Sequence, residues 1–211
     1  MGPWVRRRIL IVLAILLAPA WAAPVKTWAA PAPRIVIETT LGQIEVEVYP
    51  DRAPVSAGNF LAYVDKGLWR GASFYRVVRP DNDRTPAISV IQGGLMRDEA
   101  PLAPIAHETT ATTGLRHTDG VLSWARDKPG TAASEFFISV GDNPSLDFAG
   151  LRNPDGQGFA TFGRVVRGMD VVRRIDALRD PVAKSDFMPG QQLAHPVAIT
   201  SVRRVGARPA P

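Results

Sequence analysis

Arg76 is the residue whose placement could do chemistry. It stands in the middle of Phe74-Tyr75-Arg76-Val77-Val78, where aromatic and β-branched neighbours spell a strand. Side chains alternate along a strand, so Phe74, Arg76 and Val78 are predicted on one face, with Tyr75 and Val77 on the other. Both faces are largely apolar. A permanent charge there either snorkels past a sheet edge to water or acts as a fixed hydrogen-bond donor at the floor of a pocket. The strand alone supports both readings.

Other reactive groups are sparse. His107, His117 and His195 stand alone, and with no cysteine and no H-x-x-x-H spacing the sequence offers no zinc site. There is no G-x-S-x-G elbow, no phosphate loop and no dinucleotide fingerprint; Gly93-Gly94 and Asp155-Gly156-Gln157-Gly158 read as turns. The carboxylates are scattered. An enzyme built from these residues would work without a nucleophile, a metal or a cofactor.

The elements that must carry Arg76 follow from the pattern. Arg34 to Thr39 and Gln43 to Tyr49 alternate and form a hairpin turning at Leu41-Gly42. Pro54 opens a helix and Gly67 lies just past its end, with Phe60, Leu61 and Val64 on its core face. Further strands are expected at Ile88 to Gln92, stopped by Gly93-Gly94, and at Gly120 to Ala125, Glu135 to Val140, Phe159 to Val166 and Val197 to Val205. Arg79 to Pro86 and Arg126 to Ser134 carry loop signals. A second helix spans Met169 to Leu178, with Val171, Ile175 and Leu178 on one face. Strands do not alternate with helices, so a parallel sheet is not expected. Antiparallel closure into a barrel removes the sheet edges and is the economical solution.

The start of the chain reads as an export signal. Arg6-Arg7-Arg8 precede the apolar run Ile9 to Ala18, and Ala20-Trp21-Ala22 offer small residues around a cleavage point before Ala23. The run is short for a membrane span, which needs about 20 residues; an uncleaved N-terminal anchor is the alternative. Residues 1–22 hold three arginines and no acid, so losing them takes the formal charge from +5 to +2. What remains makes no case for a nucleic-acid surface. The absence of cysteine leaves the domain to stand on its core in an oxidising compartment. Residues 23–33 read as a flexible Ala/Pro-rich lead-in and residues 206–211 as a tail.

Five segments then occur in one order: Phe74-Tyr75-Arg76-Val77-Val78, Gln92-Gly93-Gly94, Leu122-Ser123-Trp124-Ala125, Ser134-Glu135-Phe136-Phe137-Ile138 and Phe162-Gly163-Arg164-Val165. Together, over about residues 34–205, they resemble the cyclophilin family of peptidyl-prolyl cis/trans isomerases. The resemblance implies a mainly β fold, a closed eight-stranded antiparallel barrel capped by two α-helices. It implies catalysis of rotation about X-Pro bonds, here in exported proteins whose folding it would assist. No cofactor is implied, and proline-containing polypeptides are the expected partners of a monomer without stable membrane insertion. Carried over by position, Arg76 matches the catalytic arginine and Gln92 the glutamine that holds it and the substrate backbone. Phe137 matches the floor of the proline pocket and Leu146 a wall. Ala125 and Arg126 match contacts to the peptide backbone. Phe136 is expected to face the barrel core.

Several positions depart from the family. Ser89 and Val90 stand where a phenylalanine usually walls the pocket, and the loop from Arg79 to Ala87 is longer. Ser145 replaces a frequent tryptophan. Phe159 replaces a frequent histidine and is expected to add aromatic surface to a partly rebuilt pocket. Glu135 and Arg126 replace a usual glutamine and asparagine, and their opposite signs predict a Glu135 carboxylate paired with Arg76 or Arg126. The weakened wall leaves a second reading, a catalytically weak module that binds proline-containing peptides as a chaperone.

Overall fold

Alternation in the first hairpin is the seed of the fold. In the computed structural model, which describes residues 31–96, 100–178 and 190–206, strands β1 (Arg34–Thr39) and β2 (Gly42–Val48) pair in antiparallel register. Ile35, Ile37, Ile44, Val46 and Val48 are fully buried, while Glu45 and Glu47 take the other face and meet Arg34. The expected export signal, most of the lead-in and the last tail residues lie outside the described residues.

Six more strands complete the sheet: β3 (Ser73–Val78), β4 (Val90–Gly94), β5 (Val121–Trp124), β6 (Glu135–Ser139), β7 (Ala160–Arg167) and β8 (Gln192–Arg204). Every pairing is antiparallel, and the order β1-β2-β7-β5-β6-β4-β3-β8 returns to β1, closing an eight-stranded barrel. Closure leaves no free edge. The interior is filled by inward-facing residues of the strands, among them Phe74, Ile91, Trp124, Phe136 and Phe162. Phe136 does face the core, edge-on to Phe60, Trp69 and Phe74.

Helix α1 (Pro54–Asp65) sends Phe60, Tyr63 and Val64 into that core, and the Trp124 indole ties it to the barrel by donating to the Ser56 carbonyl at 3.0 Å. Its first turn has Pro54 but no capping side chain of its own. The Glu108 carboxylate supplies the missing acceptors, taking the N–H of Val55 at 3.1 Å and of Ser56 at 2.6 Å. A one-turn helix α2 (Thr110–Thr113), which the sequence reading lacked, follows that loop. Helix α3 (Met169–Ala177) buries Val171, Val172 and Ile175.

Strands β4 and β8 differ from expectation in their bounds. Gly93-Gly94 are the last two residues of β4, paired within it and not beyond its end, and neighbouring chain leaves room there only for glycine: a Cβ on Gly93 would lie 2.7 Å from the Phe74 ring, and one on Gly94 2.2 Å from the Ser134 carbonyl. β8 begins at Gln192 and not at Val197, because its register against β3 jumps from Phe74 opposite Val197 to Arg76 opposite Gln192. His195 and Pro196 sit in that irregularity, which hides the strand's first residues from a pattern reading.

Candidate active site

A bulge in β3 builds the site. Against β4, Phe74 pairs with Gly93 and Arg76 with Gln92, so Tyr75 is an extra residue. The simple alternation expected for this strand is therefore wrong. Phe74 and Val77 point into the barrel, whereas Tyr75 and Arg76 both line an outer groove and Val78 joins the apolar cluster beside it. Gly93, too crowded for a side chain, was the sequence signal for a distorted strand.

The groove has a volume of about 1030 Å³ and brings together all the residues assigned from sequence: Arg76, Gln92, Val90, Ala125, Arg126, Glu135, Phe137, Leu146 and Phe159. Beside Arg76 the groove meets one apolar cluster of Val78, Ile88, Val90, Phe137 and Leu146, with Ala125 and Phe159 at its margin. Phe159 meets Phe137 edge-on at 5.4 Å. Ile88, only 8% exposed, joins Val90 in the wall that lacks the family's phenylalanine. Beneath the floor, His117 stacks on Phe137 and bridges the Asp147 carboxylate and the Ser123 hydroxyl.

Arg76 is held mid-groove by two glutamines. Its Nη1 donates to Gln92 Oε1 at 2.7 Å, while Nε and Nη2 both donate to Gln191 Oε1 at 3.0 and 2.5 Å. Burial pulls its pKa down, but arginine's intrinsic basicity keeps it charged. Behind Gln92 lies a second layer. The Gln92 amide donates to the Tyr75 hydroxyl at 2.7 Å and to Glu135 Oε2 at 2.9 Å, and the Tyr75 hydroxyl donates to the same carboxylate oxygen at 2.5 Å. Burial and then the Glu135 charge push the Tyr75 pKa far up, so its hydroxyl stays a donor. With two acceptors facing its nitrogen, Gln92 must turn its oxygen to Arg76.

Glu135 is thus not ion-paired as expected: no guanidinium of the described residues is within salt-bridge distance of it. Arg126 turns away to Asp155, at 2.7 and 3.0 Å, and to the Gly158 carbonyl, with its charge 5.2 Å from the centre of the Phe159 ring. Those Arg126 hydrogen bonds hold the Asp155 carboxyl at about 2. A fork-on-carboxylate pair satisfies Arg126 better than a shared charge across the groove would.

The longer loop before β4 is fastened by Arg152, which the sequence did not single out. Its guanidinium grips both oxygens of Asp83 at 2.7 and 2.8 Å and donates to the Pro86 carbonyl at 2.9 Å. Asp83 in turn accepts the Ile88 N–H at 3.1 Å, fixing the wall residue. Tyr75 and Gln191 were missed for separate reasons, the bulge and the displaced start of β8.

The family described as cyclophilin type peptidyl-prolyl cis-trans isomerase/CLD matches residues 34–204. Among curated proteins, a peptidyl-prolyl cis-trans isomerase of Acinetobacter baylyi is 38% identical over 173 residues, covering 80% of this chain and 81% of that one. Peptidyl-prolyl cis-trans isomerase A of Dickeya dadantii is 35% identical, covering 82% and 86%. Among solved structures, a cyclophilin type peptidyl-prolyl cis-trans isomerase of Cryptosporidium parvum superposes with a TM-score of 0.62 at 20% identity, covering 84% of this chain and 99% of that one. The same protein crystallised in the presence of the dipeptide Ala-Pro gives 0.61, again at 20% identity, covering 81% and 98%. The match along the whole barrel, the shared fold and the length of common sequence together place the chain in the cyclophilin-type peptidyl-prolyl cis-trans isomerase family, enzymes that rotate X-Pro peptide bonds.

Proposed function

We propose that Arg76 is the catalytic donor of this isomerase, that Gln92 directs it, and that Val90, Phe137, Leu146 and Phe159 grip the proline ring. Rotation about a peptide bond is opposed by about 18–20 kcal/mol because the nitrogen lone pair is delocalised into the carbonyl. Twisting the bond returns that lone pair to the prolyl nitrogen, where a positioned N–H stabilises it. This is electrostatic preorganisation, without a covalent intermediate. The observation that carries the reading is the Arg76 clamp. Among the described residues three of arginine's five N–H bonds are engaged, which leaves one on each terminal nitrogen for substrate. The apolar cluster beside it suits a proline ring, in line with the Ala-Pro dipeptide supplied to the Cryptosporidium relative. Ala125, Arg126 and Glu135 flank the peptide path. Ile88 and Val90 make the apolar wall continuous, so the reading as a binding-only module loses its main support.

The test is Arg76→Ala in an isomerisation assay on X-Pro peptides. Losing one positioned donor costs about 10²–10³ in rate. Arg76→Lys recovers only part of it, since an ammonium lacks the planar fork. Full activity in the alanine variant overturns the assignment.

The substrates are exported proteins, met by a monomer outside the cytoplasm after removal of residues 1–22. The basic, apolar and small-residue order of that segment supports this. Mass spectrometry of the native protein should find a chain starting near Ala23 in the soluble extracytoplasmic fraction; residues 1–22 intact in the membrane fraction would refute it.

A further inference from the structure

We infer that Gln191 is the positioning residue that aims Arg76 and, being neutral, leaves its charge undivided for the substrate. The inference rests on the reading of Arg76 as the catalytic donor.

Gln191 reaches Arg76 from a point far along the chain, just before β8. One amide oxygen takes the whole Nε/Nη2 edge of the guanidinium, at 3.0 and 2.5 Å. The orientation of that amide is not free. Its Nε2 donates to the Asn82 carbonyl at 2.8 Å, so its oxygen has to face Arg76. Its backbone is anchored as well, with the Val77 N–H donating to the Gln191 carbonyl at 2.8 Å. Asn82 completes the brace by donating to the carbonyls of Val77 and Gly190 at 3.2 and 2.9 Å.

Gln92 and Gln191 therefore hold opposite edges of one guanidinium, each through an amide oxygen. Two fixed edges determine the plane and direction of the remaining N–H bonds. The partners' neutrality matters equally. A carboxylate at position 191 would geometrically replace the amide and bind Arg76 more strongly. It would also satisfy the cation in the resting enzyme and weaken its response to electron density appearing on the prolyl nitrogen. A donor gains rate only from what it does more strongly in the transition state than in the ground state. Among the described residues no carboxylate lies within salt-bridge distance of Arg76, which fits a cation kept for the substrate.

Three variants test this in the full-length protein: Gln191→Ala, Gln191→Glu and Arg76→Ala. Gln191→Ala should lower kcat by about tenfold to a hundredfold, the cost of a misdirected group, with little change in KM. The Arg76 Nε–H signal in NMR should lose its protection from exchange. Gln191→Glu should keep that protection and the melting temperature yet also lower kcat about tenfold, since it restores the aim but divides the charge. If Arg76→Ala is impaired while both Gln191 variants keep wild-type kcat, the inference is wrong and the role of Arg76 stands. If Arg76→Ala is fully active, the underlying reading fails instead. Wild-type kcat in Gln191→Glu would show that the neutrality of the partner at this position does not matter and overturn the proposal.

Discussion

The imidazole of His117 lies face to face with the ring of Phe137, centroids 5.8 Å apart and planes 15° from parallel. The pocket floor thus rests on a buried titratable group, bonded to Asp147 at 2.8 Å and Ser123 at 3.0 Å. Burial pushes the His117 pKa below 6.5, outweighing the raising effect of Asp147, so the folded state favours the neutral ring. As pH falls through 6.5 the unfolded chain takes up the proton first, and stability drops until the folded ring is protonated too. Burial alone would raise Asp147, but the side-chain and backbone N–H bonds from His117 hold it below 3.8, so its contribution is lost at still lower pH. The melting temperature should therefore begin to fall below pH 6.5, and His117→Gln should remove that first decline while keeping the lower one. Wild-type melting that stays level down to pH 3.8 contradicts the arrangement.

Phe137 itself should prove both wall and support. It is 4% exposed and touches the groove on one face and His117 on the other. Phe137→Ala should cost about 3–5 kcal/mol of stability and raise KM in peptide assays. Unchanged melting with unchanged KM would mean that another side chain forms the floor.

Much of this architecture was legible because it is written in period-two alternation. Ile44, Val46 and Val48 against Glu45 and Glu47 announce a half-buried strand with no outside help, whereas Phe136 and Phe137 are both buried, and only the family resemblance told which of them faces the core. What failed to show were departures from that period. The bulge turned Tyr75 into the groove, and Pro196 masked the beginning of β8 and with it Gln191. The partners of Glu135 and Arg126 were illegible for another reason. Complementary sign says that a pair is possible, but only folding revealed that Asp155 stood nearer to Arg126 and that Tyr75 and Gln92 stood nearer to Glu135.

The Glu135 arrangement separates hydrogen bonding from ion pairing in solution. Glu135→Leu removes the acceptor shared by Tyr75 and Gln92, leaving donors undersatisfied at a cost of about 1–3 kcal/mol. Gln92 is then free to turn its nitrogen toward Arg76, so kcat/KM should fall about tenfold, the equivalent of one such hydrogen bond. Glu135→Gln should restore most of the rate, because its amide oxygen accepts the same two donors. The effect should be nearly independent of salt. A rescue that fails, or a loss that salt abolishes, would restore the ion-pair reading.

Arg152 provides the last prediction, and it concerns a wall built without the family's aromatic residue. The Arg152 and Asp83 side chains are 8% and 2% exposed, so the pair is held almost out of water. Arg152→Ala strands a buried carboxylate, and breaking such a pair costs about 3–5 kcal/mol. Asp83 would turn toward water to recover solvation, and the Ile88 N–H that it accepts would go with it. The consequence at the groove is a displaced Ile88 and a looser grip on the ring, seen as a higher KM with kcat less affected. Replacing both partners, Asp83→Asn with Arg152→Leu, should cost less than Arg152→Ala alone, since no unpaired charge remains. Thermal melting and peptide kinetics on the three proteins decide the point: a double variant less stable than the single one would show that the fork geometry, and not the removal of stranded charge, is what holds this wall.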